Sequence, residues 1–357
     1  MMIFIGILIF ALLVVVHEFG HFIVARRNGI EVEEFGIGFP PKLFSKKVGT
    51  TEYSFNLVPL GGFVKLKGES DNETEKGSFG ASSLLVKARV LMAGVGMNVV
   101  AAFFMVLILA LTSLPAILPN QYRVSENEAR VSEGVIIADI GEDSAALAAG
   151  IEVGDRVAQV QSVDISTAQQ LIDATEEFAG EEVEVVLQRG SEEVRVYPQL
   201  GDDPDGGQLG VVPIESTTSR YTWAAPIVAM GITLQMIGLV FSAVMNIFIG
   251  IFSGAGGEAA SQLTGPVGIV FLLQNLGSFG FEYLFFLLAS ISISLAVFNA
   301  LPIPALDGGR LAVISVARLM KKELKPELEN AIHGTGFLAL IGLFILITYV
   351  DVQRFFG

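Results

Sequence analysis

The sequence contains no cysteine and only three histidines among its 357 residues. The absence of cysteine excludes a disulfide framework, a thiol nucleophile and thiolate metal ligands. Any metal site in this chain must therefore be built from histidine, aspartate and glutamate. The histidines are few enough to be considered one by one.

Charged residues are also scarce, because they make up 17% of the chain while hydrophobic residues make up 52%. Soluble domains contain about 25% charged residues, and the mean hydropathy of this chain is +0.62. The net charge of −15 argues against nucleic acid as a partner, because its phosphates would be repelled. Together these values indicate an integral membrane protein that lies in a lipid bilayer.

The hydrophobic residues are gathered into runs, several of which reach the roughly 20 residues that a helix needs to cross a bilayer. The runs cover residues 2–25, 90–118, 223–252, 265–276, 281–303 and 334–350. Lys and Arg, which prefer the cytoplasmic side, are dense in residues 26–89 and 310–333, whereas residues 120–220 are acidic. We therefore expect the basic segments to be cytoplasmic, and the acidic segment and both termini to be extracytoplasmic.

Three ionisable residues lie inside the first run, in His17-Glu18-Phe19-Gly20-His21. Residues i and i+4 share one face of a helix, so His17 and His21 can bind one Zn²⁺ with Glu18 beside them as general base. The pentapeptide alone is a weak signal, but ionisable side chains in a membrane segment are unfavourable and functional by default. A hydrogen-bonded contact between helices is the alternative, and it does not require this spacing.

A catalytic zinc site also needs a third protein ligand and an open position for water. Asp307, in the sequence NALPIPALDGG at the end of the run 281–303, is the candidate. Pro302 and Pro304 exclude a regular helix, and the two glycines after Asp307 permit unusual backbone angles. We expect a broken helix that presents Asp307 at the depth of the two histidines, although a helix-end carboxylate would explain this motif on its own.

These motifs resemble those of the site-2 protease family of intramembrane zinc metalloproteases, in its bacterial regulator-of-sigma-E protease branch. HEFGH fits the family's HExxH, and NALPIPALDG, which begins at Asn299, fits its NxxPxPxLDG. AGVGMN, which begins at Ala93, is similar to the family's AGPxxN with Val95 in place of proline. PLGGFVK, which begins at Pro59, is similar to PLGGYVK. The resemblance covers nearly the whole chain.

The resemblance implies a cell-membrane enzyme that hydrolyses peptide bonds within or beside the transmembrane segments of single-span membrane proteins. Anti-sigma factors and leftover signal peptides are the substrate classes that it implies. The implied cofactor is Zn²⁺, with His17, His21 and Asp307 as ligands. Glu18 is the implied catalytic residue, because it can move a proton from water to the leaving amine.

A β-hairpin is predicted after the first run, and in this family such a segment dips into the membrane beside the zinc. Residues 36–41 and 52–58 have the alternating pattern of strands. An unwound substrate segment could be added to this hairpin as an edge strand. Asn299 could contact substrate or equally cap the end of its helix. The expected substrate-binding residues are Asn299, Pro302, Pro304, Gly36 and Gly38.

Residues 120–220 resemble a PDZ domain. Residues 134–138 predict a strand, residues 144–150 predict a short helix that is followed by GDRV at a turn, and residues 167–178 predict an amphipathic helix beside a peptide groove. PDZ domains bind peptides by strand addition, so we expect peptide or protein termini as partners here. The acidity of this segment is explained most simply as keeping an exported domain soluble.

The predicted fold class is an α-helical integral membrane protein with about four full spans, an interfacial helix and a membrane-associated β-hairpin region. One extracytoplasmic α+β PDZ domain, residues 119–220, is inserted between the two parts of the membrane core, residues 1–118 and 221–357. Residues 223–252 are assigned to the interfacial helix, because a further crossing there would place Asp307 on the wrong side of the membrane.

Two other functions remain open at this point. A CAAX-type membrane peptidase also carries HExxH, but it takes its third ligand from a downstream glutamate motif and lacks a PDZ domain. In a non-enzymatic membrane-anchored PDZ adaptor, the pairing of HExxH with LDG would be accidental. Zinc in the purified protein would separate the adaptor from both peptidases.

Overall fold

The computed structural model forms two compact units. The residues that it describes are 2–69, 75–190, 192–201, 209–253, 268, 279–322 and 324–356. The first unit comprises Met1–Phe104, Thr233–Val270 and Leu288–Gly357, and the second comprises Met105–Ile232 and Phe271–Leu287. The apolar run at 265–276 lies outside the described residues, except for Gly268.

The described residues form helices and strands in an order that matches most of the predicted elements. The helices are α1 (Met2–Arg27), α2 (Leu84–Thr112), α3 (Ala145–Ala148), α4 (Ala168–Glu177), α5 (Ala225–Ser253), α6 (Phe281–Ala300), α7 (Asp307–Leu319) and α8 (Pro326–Phe356). The strands are β1 (Val32–Val48), β2 (Thr51–Leu66), β3 (Leu114–Pro115), β4 (Ala129–Ile140), β5 (Arg156–Val160), β6 (Val163–Asp164), β7 (Val185–Arg189), β8 (Glu192–Val196) and β9 (Val211–Arg220).

Four described helices are long and apolar enough to cross a membrane, as expected for a multi-span membrane protein. They are Leu84–Thr112, Ala225–Ile247, Phe281–Ala300 and Pro326–Gln353. Helix α1 is also strongly apolar over its 26 residues. By length and composition, Ala225–Ile247 meets the requirement for a span, so the interfacial placement of residues 223–252 stays a prediction.

The predicted hairpin is confirmed, and its strands are longer than the sequence pattern indicated. Strands β1 and β2 pair in antiparallel fashion and form a sheet of their own. Residues 34–37 have partners on both sides, because they face residues 62–65 and also residues 52–55. The sheet therefore turns back on itself beside α1.

A buried hydrophobic cluster in the first unit fixes α1 against the base of the hairpin, the start of α2 and the middle of α7. Burial of such side chains stabilises the folded chain by about 25 cal/mol per Å² of apolar surface. This core holds the C-terminal half of α1 in place. Its members are Phe22, Ala25, Ile30, Val32, Phe35, Leu66, Phe79, Val90, Leu91 and Ile314.

The second unit contains a sheet with the strand order β3-β9-β4-β5-β7-β8, to which β6 is added beside β5. The predicted strand at 134–138 lies within β4, and the predicted amphipathic helix is α4, whose first turn is closed by a capping box between Thr167 and Gln170. The buried Asp155 of the GDRV turn accepts two hydrogen bonds of 2.7 Å from Arg189. This carboxylate raises the pKa of the Arg189 guanidinium.

Candidate metal centre

Helix α1 places two imidazoles on one face, as the four-residue spacing predicts. His17 and His21 are 7% and 8% exposed, respectively. Their Nε2 atoms lie 3.1 Å apart, although the two rings are nearly perpendicular, with an interplanar angle of 76°. Both nitrogens therefore point to a common position beside the helix.

Asp307 brings a carboxylate to the same position from the other end of the sequence. Its Oδ2 atom lies 3.0 Å from His17 Nε2 and 3.3 Å from His21 Nε2. Helix α6 ends at Ala300, just before Pro302, and α7 begins at Asp307 itself. The predicted break in the helix is thus confirmed. In the described part of the chain, His17, His21 and Asp307 form the one group of three side chains that could hold a metal ion.

The arrangement of His17 Nε2, His21 Nε2 and Asp307 Oδ2 is explained better by a bound zinc ion than by hydrogen bonds among these atoms. The Nδ1–H of His21 donates to the backbone oxygen of Val90 at 2.8 Å, so a neutral ring has a lone pair on Nε2. This lone pair faces a carboxylate oxygen and a second imidazole nitrogen, an arrangement that a cation between them would stabilise. Tetrahedral zinc with bonds of about 2.0–2.1 Å separates its ligand atoms by about 3.3 Å. The spacing of 3.0–3.3 Å here is close to that value.

Open space reaches one member of the cluster, Asp307. A cavity of about 480 Å³ is lined by residues that include Asp307, Arg310, Glu329 and His333. Catalytic zinc sites keep one position for water in addition to three protein ligands. The described residues include three side chains that could act as ligands, and the cavity reaches one of them, Asp307.

Two glycines let α1 and α2 approach closely enough to enclose the site. A Cβ atom on Gly20 would collide with the backbone carbonyl of Ala93 on α2. A Cβ atom on Gly94 would lie 2.5 Å from Nε2 of His17 and 2.5 Å from Nε2 of His21. The missing side chain of Gly94 therefore provides the volume in which the two imidazoles meet.

Substitution of Gly94 by alanine should abolish zinc binding while the protein stays folded. The new methyl group would displace both imidazole nitrogens, whereas alanine itself favours a helix. Gly96→Ala is the matched control. Gly96 lies on the same helix as Gly94, and a Cβ atom at this position would have no neighbouring atom within 4 Å. Zinc per chain, measured by mass spectrometry of the purified proteins, should fall for Gly94→Ala alone. Equal zinc content in Gly94→Ala and Gly96→Ala would contradict the conclusion that Gly94 provides space for the metal-binding imidazoles.

The loop before Asp307 is shaped by contacts that the sequence did not reveal. Gly308 and Gly309, which permit unusual backbone angles, are instead buried in the regular first turn of α7. They are glycines because a Cβ atom at either position would collide with a carbonyl, of Ala300 or of Ile303. The unusual angle belongs to Ala305, with φ of +79°.

The third histidine holds this loop. The N–H of Ala305 donates to Nδ1 of His333 at 3.0 Å, so His333 is a partner of the loop and is not in the metal cluster. Gly336, one turn later on α8, lets that helix approach Pro304, because its Cβ atom would lie 2.5 Å from the Pro304 oxygen. Helix α8 therefore fixes the backbone two residues before Asp307.

Arg310, one turn after Asp307, anchors the start of α7. Its guanidinium carbon lies 4.9 Å from the centre of the Phe79 ring, and the group also donates to the backbone oxygen of Glu69. Its Nε atom lies 3.6 Å from a carboxylate oxygen of Glu329. Contacts on several sides keep α7 from rotating, and they therefore keep the Asp307 carboxylate aimed at the imidazoles.

Glu18 lies next to both imidazoles in sequence but outside the metal cluster. Its carboxylate lies near His17, His21 and Asp307, and it accepts a hydrogen bond from the backbone N–H of Val64 on β2. A Cβ atom on Gly62 would lie 3.8 Å from Cγ of Glu18, so the side chain runs along this strand. Glu18 is thus placed to exchange a proton near the metal position.

The predicted substrate-binding residues have several structural roles. Asn299 Nδ2 donates to the backbone oxygen of Leu295 at 2.9 Å, which ties its amide to α6. Gly36 avoids a collision with the Phe63 ring, and Gly38 has φ of +79° beside the backbone of the partner strand. Pro302 is exposed. Pro304 lines an apolar groove against α8. Contact with substrate stays a prediction for all five.

Sequence reasoning quoted Gly94 and Asn98 within AGVGMN and gave neither of them a role. Asn98 is fully buried, and its amide nitrogen lies 3.4 Å from Nδ1 of His17. A signal for both was present, because positions 94 and 98 are four residues apart and share one face of α2. The sequence does not show that this face of α2 packs against His17.

Comparison with known proteins covers nearly the whole chain. Residues 5–343 match the profile of the family described as "Peptidase family M50". This range includes all three residues of the metal cluster. A Clostridium perfringens protein, whose name assigns it provisionally to the zinc metalloproteases, is 34% identical over 356 residues, 99% of this chain and 98% of that protein. Proteins named zinc metalloprotease RasP are similar too. The one from Oceanobacillus iheyensis is 28% identical over 440 residues, and the one from Shouchella clausii is 27% identical over 438 residues, with 98% of each chain covered.

Proposed function

We propose that this chain is an intramembrane endopeptidase. It belongs to peptidase family M50 and is a zinc metalloprotease with several helices long and apolar enough to cross a membrane. Its substrates are single-span membrane proteins, which it cuts within or beside their transmembrane segments. The observation that carries this proposal is the convergence of His17, His21 and Asp307 at one buried position, two of them on the strongly apolar helix α1. Ligands on such a helix support a reaction at membrane depth.

Hydrolysis at this site requires one group to move a proton, and Glu18 is that group. Bound zinc would polarise the scissile carbonyl and lower the pKa of the attacking water. Glu18 takes a proton from that water while the water oxygen bonds to the carbonyl carbon. Glu18 then gives the proton to the amide nitrogen as the carbon–nitrogen bond breaks. His17, His21 and Asp307 are the residues that hold the metal.

The hairpin is proposed to hold the substrate in an extended form. Residues 62–66 pair on one side only among the described residues, and Glu18 runs along this segment at Gly62. An unwound substrate segment added there would satisfy its backbone groups in the bilayer, where no water can do so. Large apolar side chains that are exposed on the hairpin suit a place in lipid, namely Ile37, Phe39, Leu43, Phe44, Val48, Phe55 and Leu57.

Residues 119–220, which lie within the second unit, are proposed to be an extracytoplasmic PDZ domain that is inserted in the cell-membrane protein. Its sheet and helix α4 support this proposal. Among the described residues, β9 pairs with β4 along its length but with β3 only at Thr218 and Ser219. The remaining edge of β9 could take up a peptide or protein terminus as a strand. The basic bias of residues 26–89 and 310–333 supports an active site towards the cytoplasm.

Cleavage of a reconstituted substrate tests the proposed function. The purified full chain and a single-span protein are placed in lipid vesicles, and the product masses locate the cut bond. A cut within or beside the span, which stops with a zinc chelator and returns with zinc, is the expected result. A cut confined to a lipidated C-terminal tetrapeptide would identify a CAAX-type peptidase instead. Intact substrate of several sequences, together with purified protein that holds no zinc, would favour an adaptor.

A further inference from the structure

A buried amide beside the metal cluster has an oxygen with no partner. Asn98 on α2 is 0% exposed, and its Nδ2 lies 3.4 Å from Nδ1 of His17. Its Oδ1 has no hydrogen-bond partner among the described residues. A buried carbonyl oxygen without a donor is unfavourable and needs an explanation. The neighbouring imidazole supplies one.

The two ends of an amide side chain have nearly the same shape, so the hydrogen-bond network decides which end is oxygen. As placed, Asn98 can only donate to Nδ1 of His17, which requires the proton of a neutral ring to sit on Nε2. A protonated Nε2 cannot bind a metal ion. A half-turn of the amide puts Oδ1 beside Nδ1 instead, so that Nδ1–H donates and the lone pair of Nε2 becomes free.

The other histidine shows the same arrangement with a backbone acceptor. Nδ1 of His21 lies 2.8 Å from the Val90 oxygen, which can only accept. Val90 and Asn98 are both on α2, eight residues apart along the same helix. With the amide turned, α2 would give both imidazoles the same tautomer, and both Nε2 atoms would face the Asp307 carboxylate.

We propose that Asn98 is a positioning residue that accepts a hydrogen bond from Nδ1–H of His17 through its side-chain oxygen and so prepares His17 to bind zinc. The proposal rests on the proposed function, because it concerns the same zinc site. Partners that orient a metal-binding histidine contribute about 10–100-fold to metal affinity. Asn98 touches neither substrate nor metal, and it acts through His17.

The test compares zinc affinities of the purified full chain, measured by competition with a chelator. Asn98→Leu keeps the size but removes the acceptor, and it should bind zinc about 10–100-fold more weakly. Asn98→Asp keeps an acceptor and should stay within a few-fold of wild type. Ser292→Ala is the matched control, because its hydroxyl donates to the backbone oxygen of Asn98 at 2.9 Å and leaves the amide alone. It should bind zinc as wild type does.

A second measurement reads the tautomer directly. With three histidines in the chain, ¹⁵N-histidine labelling and solid-state NMR can resolve each ring in the zinc-free protein, where no metal fixes the tautomer. His17 should show a protonated Nδ1 in wild type and in Asn98→Asp, and its signal should change in Asn98→Leu. Wild-type affinity in Asn98→Leu, or an equal loss in Asn98→Asp, would overturn the proposal. Absence of zinc from the wild-type protein would instead defeat the proposed function.

Discussion

Glu18→Gln should reduce cleavage by about 10²–10⁴-fold, which is the usual contribution of a general acid–base group. Glutamine has nearly the size and hydrogen-bonding shape of glutamate, but it cannot take a proton from water. Because Glu18 is outside the group of His17, His21 and Asp307, zinc content should not change. The variant should therefore contain zinc, bind an unwound substrate span and release almost no product.

Glu33→Gln is the matched control for this substitution. Glu33 forms an exposed ion pair with Lys65 on the hairpin, with 2.8 Å between Oε2 and Nζ. Surface pairs of this kind contribute about 0–1 kcal/mol, so cleavage should stay near the wild-type rate. Product yield in the vesicle assay and zinc per chain are measured for all three proteins. Cleavage by Glu18→Gln near the wild-type rate would rule out the role that we give to this carboxylate.

Loss of any one metal ligand should remove both zinc and activity. His17→Ala and His21→Ala each delete an imidazole, and Asp307→Asn replaces a charged oxygen ligand by a neutral one. A site with three protein ligands cannot lose one without losing most of its affinity, because structural rearrangement is prevented by the close contacts of α1, α2 and α7. Zinc per chain should fall from about one to background in each variant.

His333→Ala provides the control, since it removes the remaining histidine of the chain. His333 accepts a hydrogen bond from Ala305 and lies outside the metal cluster, so zinc should be retained. Elemental analysis of the four variants beside wild type is sufficient. Full zinc occupancy in Asp307→Asn would show that the third ligand has been assigned wrongly.

The sequence was sufficient to predict that His17, His21 and Asp307 form one cluster, because they belong to short motifs. His17 and His21 follow from helical spacing, and Asp307 follows from a carboxylate placed just behind two prolines at the end of an apolar run. His17 and Asp307 are 290 positions apart, yet each lies in a motif of a few residues that is recognisable on its own. The long helices and the hairpin were also predicted, because apolar runs and alternation are local properties.

The supporting contacts could not be predicted, because they depend on how elements far apart in the sequence meet. Gly94 is needed for the space where two imidazoles converge, and nothing in its own neighbours reveals that. The positive φ of Ala305 and its bond to His333 depend on α8 lying beside the loop. The glycines after Asp307 were explained by backbone freedom, whereas they are required by close packing against two carbonyl groups.

The central claim is that one zinc ion is held by two imidazoles and one carboxylate at the apolar helix α1. X-ray absorption at the zinc edge of the purified full chain tests it most directly. We predict two histidine nitrogens at about 2.0–2.1 Å and oxygen ligands at about 2.0–2.2 Å, in a four-coordinate site. The spectrum of His333→Ala should be the same. A spectrum with fewer than two histidine ligands, or one that changes in His333→Ala, would contradict the account.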